Sequence, residues 1–308
     1  MLFLENTKIP GEIFEDKWEG FDKNKTLMMQ HVFNKTDYVL HLDADDLLIN
    51  DLEFTKDDIG GDAYYINVTR GEFKYKAFII FNNRLTWRFC GVAHTTIKCL
   101  ERPNISTKDL SGKGFYISGE GIGSRAFDPK KYFYDAEKLK KQFWDTLIND
   151  PDELNTRSIF YAAQSYMDCD MIEEGLKWNK LYLKINGGWI EEKFEAQMRV
   201  SKCMMSLNYN IENIVEEMEK AISIFPDRAE PLYSLGAYCN KIGEHNLAYK
   251  YLTRALPIDI NKVKENLDTD EFNDELDQWH EWTFKNLYPY RSIIHHMGEL
   301  SGTIPKNE

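Results

Sequence analysis

Three carboxylates fall within four residues, Asp43, Asp45 and Asp46, directly after an apolar run, Tyr38-Val39-Leu40-His41-Leu42. A pair two apart, Asp43-x-Asp45, is a spacing with which a chain can grip a hard divalent cation, which then neutralises phosphate oxygens. The same residues also describe a solvated turn after a strand. The run before them is rich in strand formers, and a buried strand that stops in carboxylates presents them at its C-terminal edge, where α/β sheets place ligands. A helical stretch, Lys25 to Phe33, precedes the run with Leu27, Met28, His31 and Val32 on one face. Downstream lie Arg84-Leu85-Thr86-Trp87-Arg88-Phe89, an aromatic and basic patch, and Phe115 to Arg125, rich in glycine (Gly119, Gly121, Gly123). Glycines so spaced suit a mobile or ligand-approaching segment.

The elements that must position these residues change character along the chain. Up to about residue 130, further strands are expected at Ala63 to Val68, Ala77 to Phe81 and Val92 to Cys99. From Pro129 the apolar period becomes 3.6, as in Ile159, Ala162, Ala163 and Tyr166, followed by a turn at Asp168-Cys169-Asp170 and by Leu176, Trp178, Leu181 and Tyr182. Leu232-x2-Leu235-Gly236-x11-Ala248-x3-Leu252-x2-Ala255, closing with Pro257, is the tetratricopeptide helix-turn-helix signature. Its small residues let two helices approach and its large ones fill the groove. A related ending, Ala221-x3-Phe225-Pro226, stands 31 residues earlier. The expected fold is α/β plus all-α: a sheet domain over residues 1–128, then a tetratricopeptide-like helical domain over 129–308. The helical domain would hold about two to four degenerate repeats between about 155 and 260. Its tail, acidic over 268–278 and then aromatic (Trp279, Trp282, Phe284, Tyr288, Tyr290), would cap the repeats. His295-His296 stands without nearby Cys or a metal-ligand acidic spacing and is not expected to carry chemistry.

With 308 residues, 38 Lys plus Arg and 51 Asp plus Glu, the net charge is −13. No basic run offsets it, which excludes wholesale binding of a nucleic-acid backbone. Five cysteines, with no Cys-x-x-Cys pair, fit reduced thiols and a cytoplasmic location. The opening MLFLENTKIP has no signal-peptide pattern, and no stretch reaches the ~18 apolar residues of a membrane span. The sequons at Asn24, Asn34, Asn67 and Asn104 are then coincidental. The expectation is a soluble protein.

The segment FDKNKTLMMQHVFNKTDYVLHLDADDLL resembles inverting family-2 glycosyltransferases of the GT-A fold, in which a helix with Asn and a basic residue leads to an apolar strand and LDADD. The likeness continues through NNRLTWRFCGVAHTTI, GIGSRAFDPKKYFYDAEKL, RSIFYAAQSYMDC, NGGWIEEKFEAQ and FPDRAEPLYSLGAY, so it covers about residues 12–258 and is similar to a subgroup fused to tetratricopeptide-like repeats. It implies a partial nucleotide-sugar-binding sheet and a metal-dependent transfer of sugar, with inversion, from a nucleotide-sugar donor to a protein, peptide or glycan acceptor. Asp43 and Asp45 would hold Mn²⁺ or Mg²⁺ against the donor diphosphate. His94 would be a third metal ligand or an acceptor-site group. Asn24 and Lys25 would lie near the donor, Trp87 would stack on a sugar or be a core residue with its N–H bonded, and Arg125 would meet a donor phosphate or tie the two halves together.

Two departures weigh against catalysis. Thr95 stands where many relatives carry Glu after the histidine, leaving Glu120 or Asp46 as general base. The family's first nucleotide-binding strand and helix are also missing before residue 12. The alternative is a degenerate, inactive transferase whose repeats bind a protein partner. A third reading, HLDADD as the nucleophile loop of a haloacid-dehalogenase-type phosphatase, lacks the Ser/Thr, Lys and later acidic pair that such chemistry needs.

Overall fold

The computed structural model describes residues 11–258, apart from 52, 54, 56, 57, 72, 120–126, 150–155, 256 and 257. Glu120, Gly121, Gly123, Arg125 and the tail beyond residue 258 therefore lie outside the described residues.

Helix α1 (Phe21–Val32) follows Gly20, whose φ of 134° is open to glycine. The strands are β1 (Tyr38–Leu40), β2 (Asp46–Ile49), β3 (Ala63–Arg70), β4 (Phe73–Asn82), β5 (Trp87–Cys90), β6 (Thr96–Cys99), β7 (Thr107–Asp109) and β8 (Tyr116–Gly119). One sheet runs in the order β1-β4-β3-β8-β2, with β7 also beside β3, and β5–β6 form a separate hairpin. The centre of the sheet is β3, which buries Ala63, Tyr64, Ile66 and Val68. Ile117 of β8 is equally inaccessible.

The pairing corrects the expected nucleotide-sugar sheet. Strand β1 pairs antiparallel with β4, β3 antiparallel with β4, and β2 antiparallel with β8. Among the described residues, parallel pairing is confined to three residues of β7 and two of β8 against β3. A GT-A-type sheet needs parallel strands joined by helical crossovers, whose carboxyl ends open onto a shared crevice. The expected strand Val92–Cys99 is also shorter: residues 91–95 turn sharply, with Gly91 at φ 102° and His94 at φ 50°, and the strand begins at Thr96.

From residue 131 on, the described chain is helical: α2 (Lys131–Asn149), α3 (Arg157–Asp168), α4 (Ile172–Lys184), α5 (Ile190–Ser206), α6 (Ile211–Ile224), α7 (Glu230–Lys241) and α8 (His245–Ala255). Each packs on the next in order. Ile159, Ala162, Ala163 and Tyr166 are all buried, as their spacing predicts. The repeat is also written in polar contacts between successive helical hairpins. Arg157 to Glu192, Arg199 to Gln164 and Arg254 to Glu219 each span 35 residues. A fixed sequence separation between bonded side chains is what stacked copies of one supersecondary unit produce.

The sheet meets the helices through the β5–β6 turn. The Val92 N–H donates to Gln142 Oε1 (3.2 Å), which also accepts from Ser158 Oγ (3.3 Å). Val92 and Ala93 pack against the cluster of Ala136, Leu139, Phe143 and Ile159. Among the described residues no helix is long and apolar enough to cross a membrane.

Candidate functional site

The Asp43–Asp46 segment forms a closed charge network. Lys25 reaches back from α1 to Asp43 Oδ1 (2.8 Å), with its ammonium 5.8 Å from the Phe89 ring centre. Buried His41 lies against Phe89 and brings Nε2 to 3.7 Å from the same Asp43 oxygen. Asp46, its side chain only 7% exposed, accepts from Arg70 Nη2 (3.2 Å), and Arg70 Nε donates to the Tyr75 hydroxyl (3.0 Å). Gly119 lies so close that a Cβ would meet Arg70 Cζ at 2.8 Å and Asp46 Oδ1 at 2.9 Å. Burial works to raise the Asp43 pKa, but the Lys25 hydrogen bond and charge outweigh it and hold the carboxyl low. For Asp46 burial wins over Arg70 and raises the pKa, with Asp43 and Asp45 adding to it.

Burial, reinforced by the charge of Lys25 and opposed by Asp43, pushes the His41 pKa down to about 4. An unfolded histidine takes up its proton near pH 6.5. The unfolded chain therefore binds more protons between those values, and stability falls as the pH drops from about 6.5 to about 4. This group contributes on the order of 3 kcal/mol to that loss. Urea unfolding at about pH 7 and about pH 4 should show a smaller loss for His41→Asn than for the native chain. Equal losses in the two proteins would place the proton elsewhere.

The expected metal site does not assemble. Among the described residues no group of three or more His, Cys, Asp and Glu could hold a metal ion. Asp43 is committed to Lys25, and the His94 ring stacks on Tyr161 of α3 (centroids 3.9 Å apart, 10° between planes). Asp43, Asp45 and His94 are thus not one donor set and do not fit a Mn²⁺ or Mg²⁺ ion. The donor residues are likewise reassigned. Trp87 is 2% exposed, packs on Phe81 and donates Nε1–H to the Asn82 carbonyl (2.9 Å), so it is a core residue with no face for a sugar. The Asn24 side chain is spent on the backbone of residues 17–20. Asp46 is paired with Arg70 and its side chain is almost inaccessible, which leaves little of it open to serve as a base. Glu120 and Arg125 lie outside the described residues.

A second polar surface lies where the β5–β6 turn meets α3 and α5. Arg157 donates to Glu192 (2.9 Å) and to the Tyr161 hydroxyl (2.9 Å), with its guanidinium 4.9 Å from the Tyr161 ring centre. Arg199 donates to Gln164 (3.0 Å) and Glu195 (3.2 Å) and stacks on Phe160 at 4.3 Å. The packing of His94, reinforced by the charge of Arg157 and opposed by Asp135, lowers its pKa to about 4. The Asp168 pKa is raised by burial against the charges of Arg199 and Lys131 and a hydrogen bond from Gln164. Sequence reasoning picked out only His94 of this set. The signal for the rest was present in the 35-residue separation of Arg157 from Glu192 and of Gln164 from Arg199.

No described protein family matches the chain, and no curated protein does. The crystal structure of MamA is similar at 13% identity and a TM-score of 0.37, over 59% of this chain and 93% of that one. A putative kinesin light chain with TPR-like repeats from Podosopora anserina is similar at 11% identity and a TM-score of 0.35, over 57% and 90%. MamA (41-end) from Desulfovibrio magneticus RS-1 gives 11% identity, a TM-score of 0.31 and coverage of 55% and 94%. Scores of this size fall short of a shared fold, so the repeat architecture rests on the chain's own geometry.

The resemblance to family-2 glycosyltransferases is corrected by these findings together. No family model matches the chain, and among the described residues parallel pairing is confined to short stretches of β7 and β8 against β3. The described residues thus support neither a GT-A glycosyltransferase nor a manganese site.

Proposed function

We propose that this chain is a protein-binding scaffold whose partner lies along the surface formed by α3, α5 and the β5–β6 turn. Residues 1–128 act as one unit that seats this turn, and residues 129–308 as the repeat unit. The observation that carries the reading is the ladder of inter-repeat contacts 35 residues apart, which makes α3–α8 a row of stacked hairpins. Such rows present extended surfaces to macromolecules. Asp168 and His94 are exposed on that surface and Lys131 and Gln164 are half-buried, so it offers both charges and an amide to a polypeptide. Five free cysteines suit a reducing compartment such as the cytoplasm.

The test places a photoreactive residue at position 168, captures the neighbour in the source cells, and titrates the purified neighbour against two proteins. Reversing the charges in Asp168→Lys/Lys131→Glu should weaken binding about tenfold, equivalent to about 1.4 kcal/mol, with the helical circular dichroism unchanged. Equal affinity for both proteins would remove this surface from the reading.

A further inference from the structure

Residues 11–20 form neither helix nor strand, and all but the last are exposed, yet their side chains are engaged at every second position. Glu12 pairs with Lys35 (2.6 Å). Phe14 lies flat on His31, centroids 4.1 Å apart and planes 8° from parallel, with the Lys35 ammonium 5.3 Å from its ring centre. Asp16 reaches His31 Nε2 at 2.8 Å. The segment then closes on Asn24, whose Nδ2 donates to the Lys17 carbonyl (3.0 Å) while Oδ1 accepts from the Glu19 and Gly20 N–H groups (2.8 and 3.2 Å). Contacts at 12, 14 and 16 have the period of an extended chain, one face down. Of the receiving groups, Asn24 and His31 lie seven apart on one face of α1, and Lys35 stands in the turn that follows the helix. The segment therefore runs antiparallel to the helix.

Ile13 and Trp18 stand 59% and 61% exposed. No backbone ladder fixes the segment, its ion pairs are of the exposed kind that contribute little, and Gly20 at φ 134° supplies a pivot.

We propose that the outer face of α1 is a binding surface for an extended segment of the pattern acid–x–aromatic–x–acid from a partner protein, and that residues 12–16 occupy it within the chain until displaced. Charge complementarity commits the occupant. Lys35 and His31 meet a carboxylate on each side of an aromatic plane, and Asn24 reads three backbone groups without regard to sequence. Tethering keeps the chain's own segment at an effective concentration on the order of millimolar, so the partner's segment succeeds by binding more tightly. This surface is separate from the repeat surface, and either reading can fail alone.

The probe is a fluorescent peptide of residues 11–20 (GEIFEDKWEG), followed by anisotropy against the full chain. Phe14→Ala/Asp16→Asn, which loosens the resident segment, should bind the peptide at least about tenfold more tightly than the native chain. Adding His31→Ala/Lys35→Glu should abolish that binding, as should Phe14→Ala in the peptide. If the loosened variant does not fold, Glu12→Lys alone, at an exposed site, should give the same order of affinities at smaller amplitude. Equal binding by native and loosened chains, or binding that survives His31→Ala/Lys35→Glu, would overturn the proposal. A native dimer that the peptide dissolves would overturn it in favour of exchange between two copies of this chain.

Discussion

Arg228→Ala is expected to lower the free energy of unfolding by roughly 3–5 kcal/mol, the cost of leaving buried charges without their partner. Arg228 is 5% exposed just before α7. Its Nη1 donates to Glu191 (2.6 Å), its Nε donates to Glu230 (2.8 Å), and its guanidinium stacks on Phe194 at 4.2 Å. Removing it strands two buried carboxylates and empties the face of a core phenylalanine. Burial already pushes the Glu191 pKa up, with Arg228 the counterweight, so the variant should take up more protons on folding than the native chain does. Urea unfolding at neutral pH measures the loss. Replacing Arg228, Glu191 and Glu230 together with apolar residues of similar volume should recover most of it, because a buried network costs more half-removed than wholly removed. A loss below about 1 kcal/mol would show that water reaches these carboxylates.

Gly236→Val is expected to cost about 3 kcal/mol, at the upper end of what overpacking a close helix contact produces. A Cβ at 236 would sit 2.7 Å from both Cγ and Cδ2 of Leu252, and 3.4 Å from the Leu252 backbone nitrogen. The leucine tip can turn aside for a methyl group, but the two further methyls of valine press on the α8 backbone. Leu252→Ala in the same chain should restore part of the loss by opening the space opposite, a non-additivity that thermal unfolding of the single and double variants would reveal. If the two losses simply add, the α7–α8 contact is not where the strain lies.

The helical half was largely legible from its residues. Ile159, Ala162, Ala163 and Tyr166 meet one core because 3.6 residues make a turn, and Leu235, Gly236, Ala248, Leu252 and Ala255 pack as their size pattern requires. Periodicity of this kind lies within a single helix or between adjacent ones, so a short window of sequence contains it. What the repeat pattern did not disclose was its polar partner list. Arg157, Gln164, Arg199 and Glu192 look like ordinary surface letters until a 35-residue offset brings them together.

The apparent site in the first half misled for the opposite reason. Asp43-x-Asp45 after an apolar run is a local string, and its chemistry depends on which strand lies beside β1 and which cations reach the turn. Strand β4 arrives antiparallel from 40 residues away, Lys25 comes from the preceding helix, and Arg70 from β3. Those placements turn a would-be cation site into a network whose carboxylates are already matched. Trp87 shows the same divide: an aromatic in a basic patch reads as a stacking platform, yet its neighbours Phe81 and Asn82 enclose it.

By itself, the sequence determined the character of the two halves, the faces of the repeat helices and the small residues at helix contacts, because each follows from spacing along a few turns of chain. Helix α1, by contrast, buries Met29 and not the face of Leu27, Met28, His31 and Val32 that its spacing suggested. The tertiary structure alone decided strand direction, the charge partners of Asp43 and Asp46, the seating of His94 on Tyr161 and the laying of residues 12–16 on α1. Each of those is a meeting between residues distant in sequence, settled by which arrangement buries the apolar surface and leaves the fewest charges unmatched.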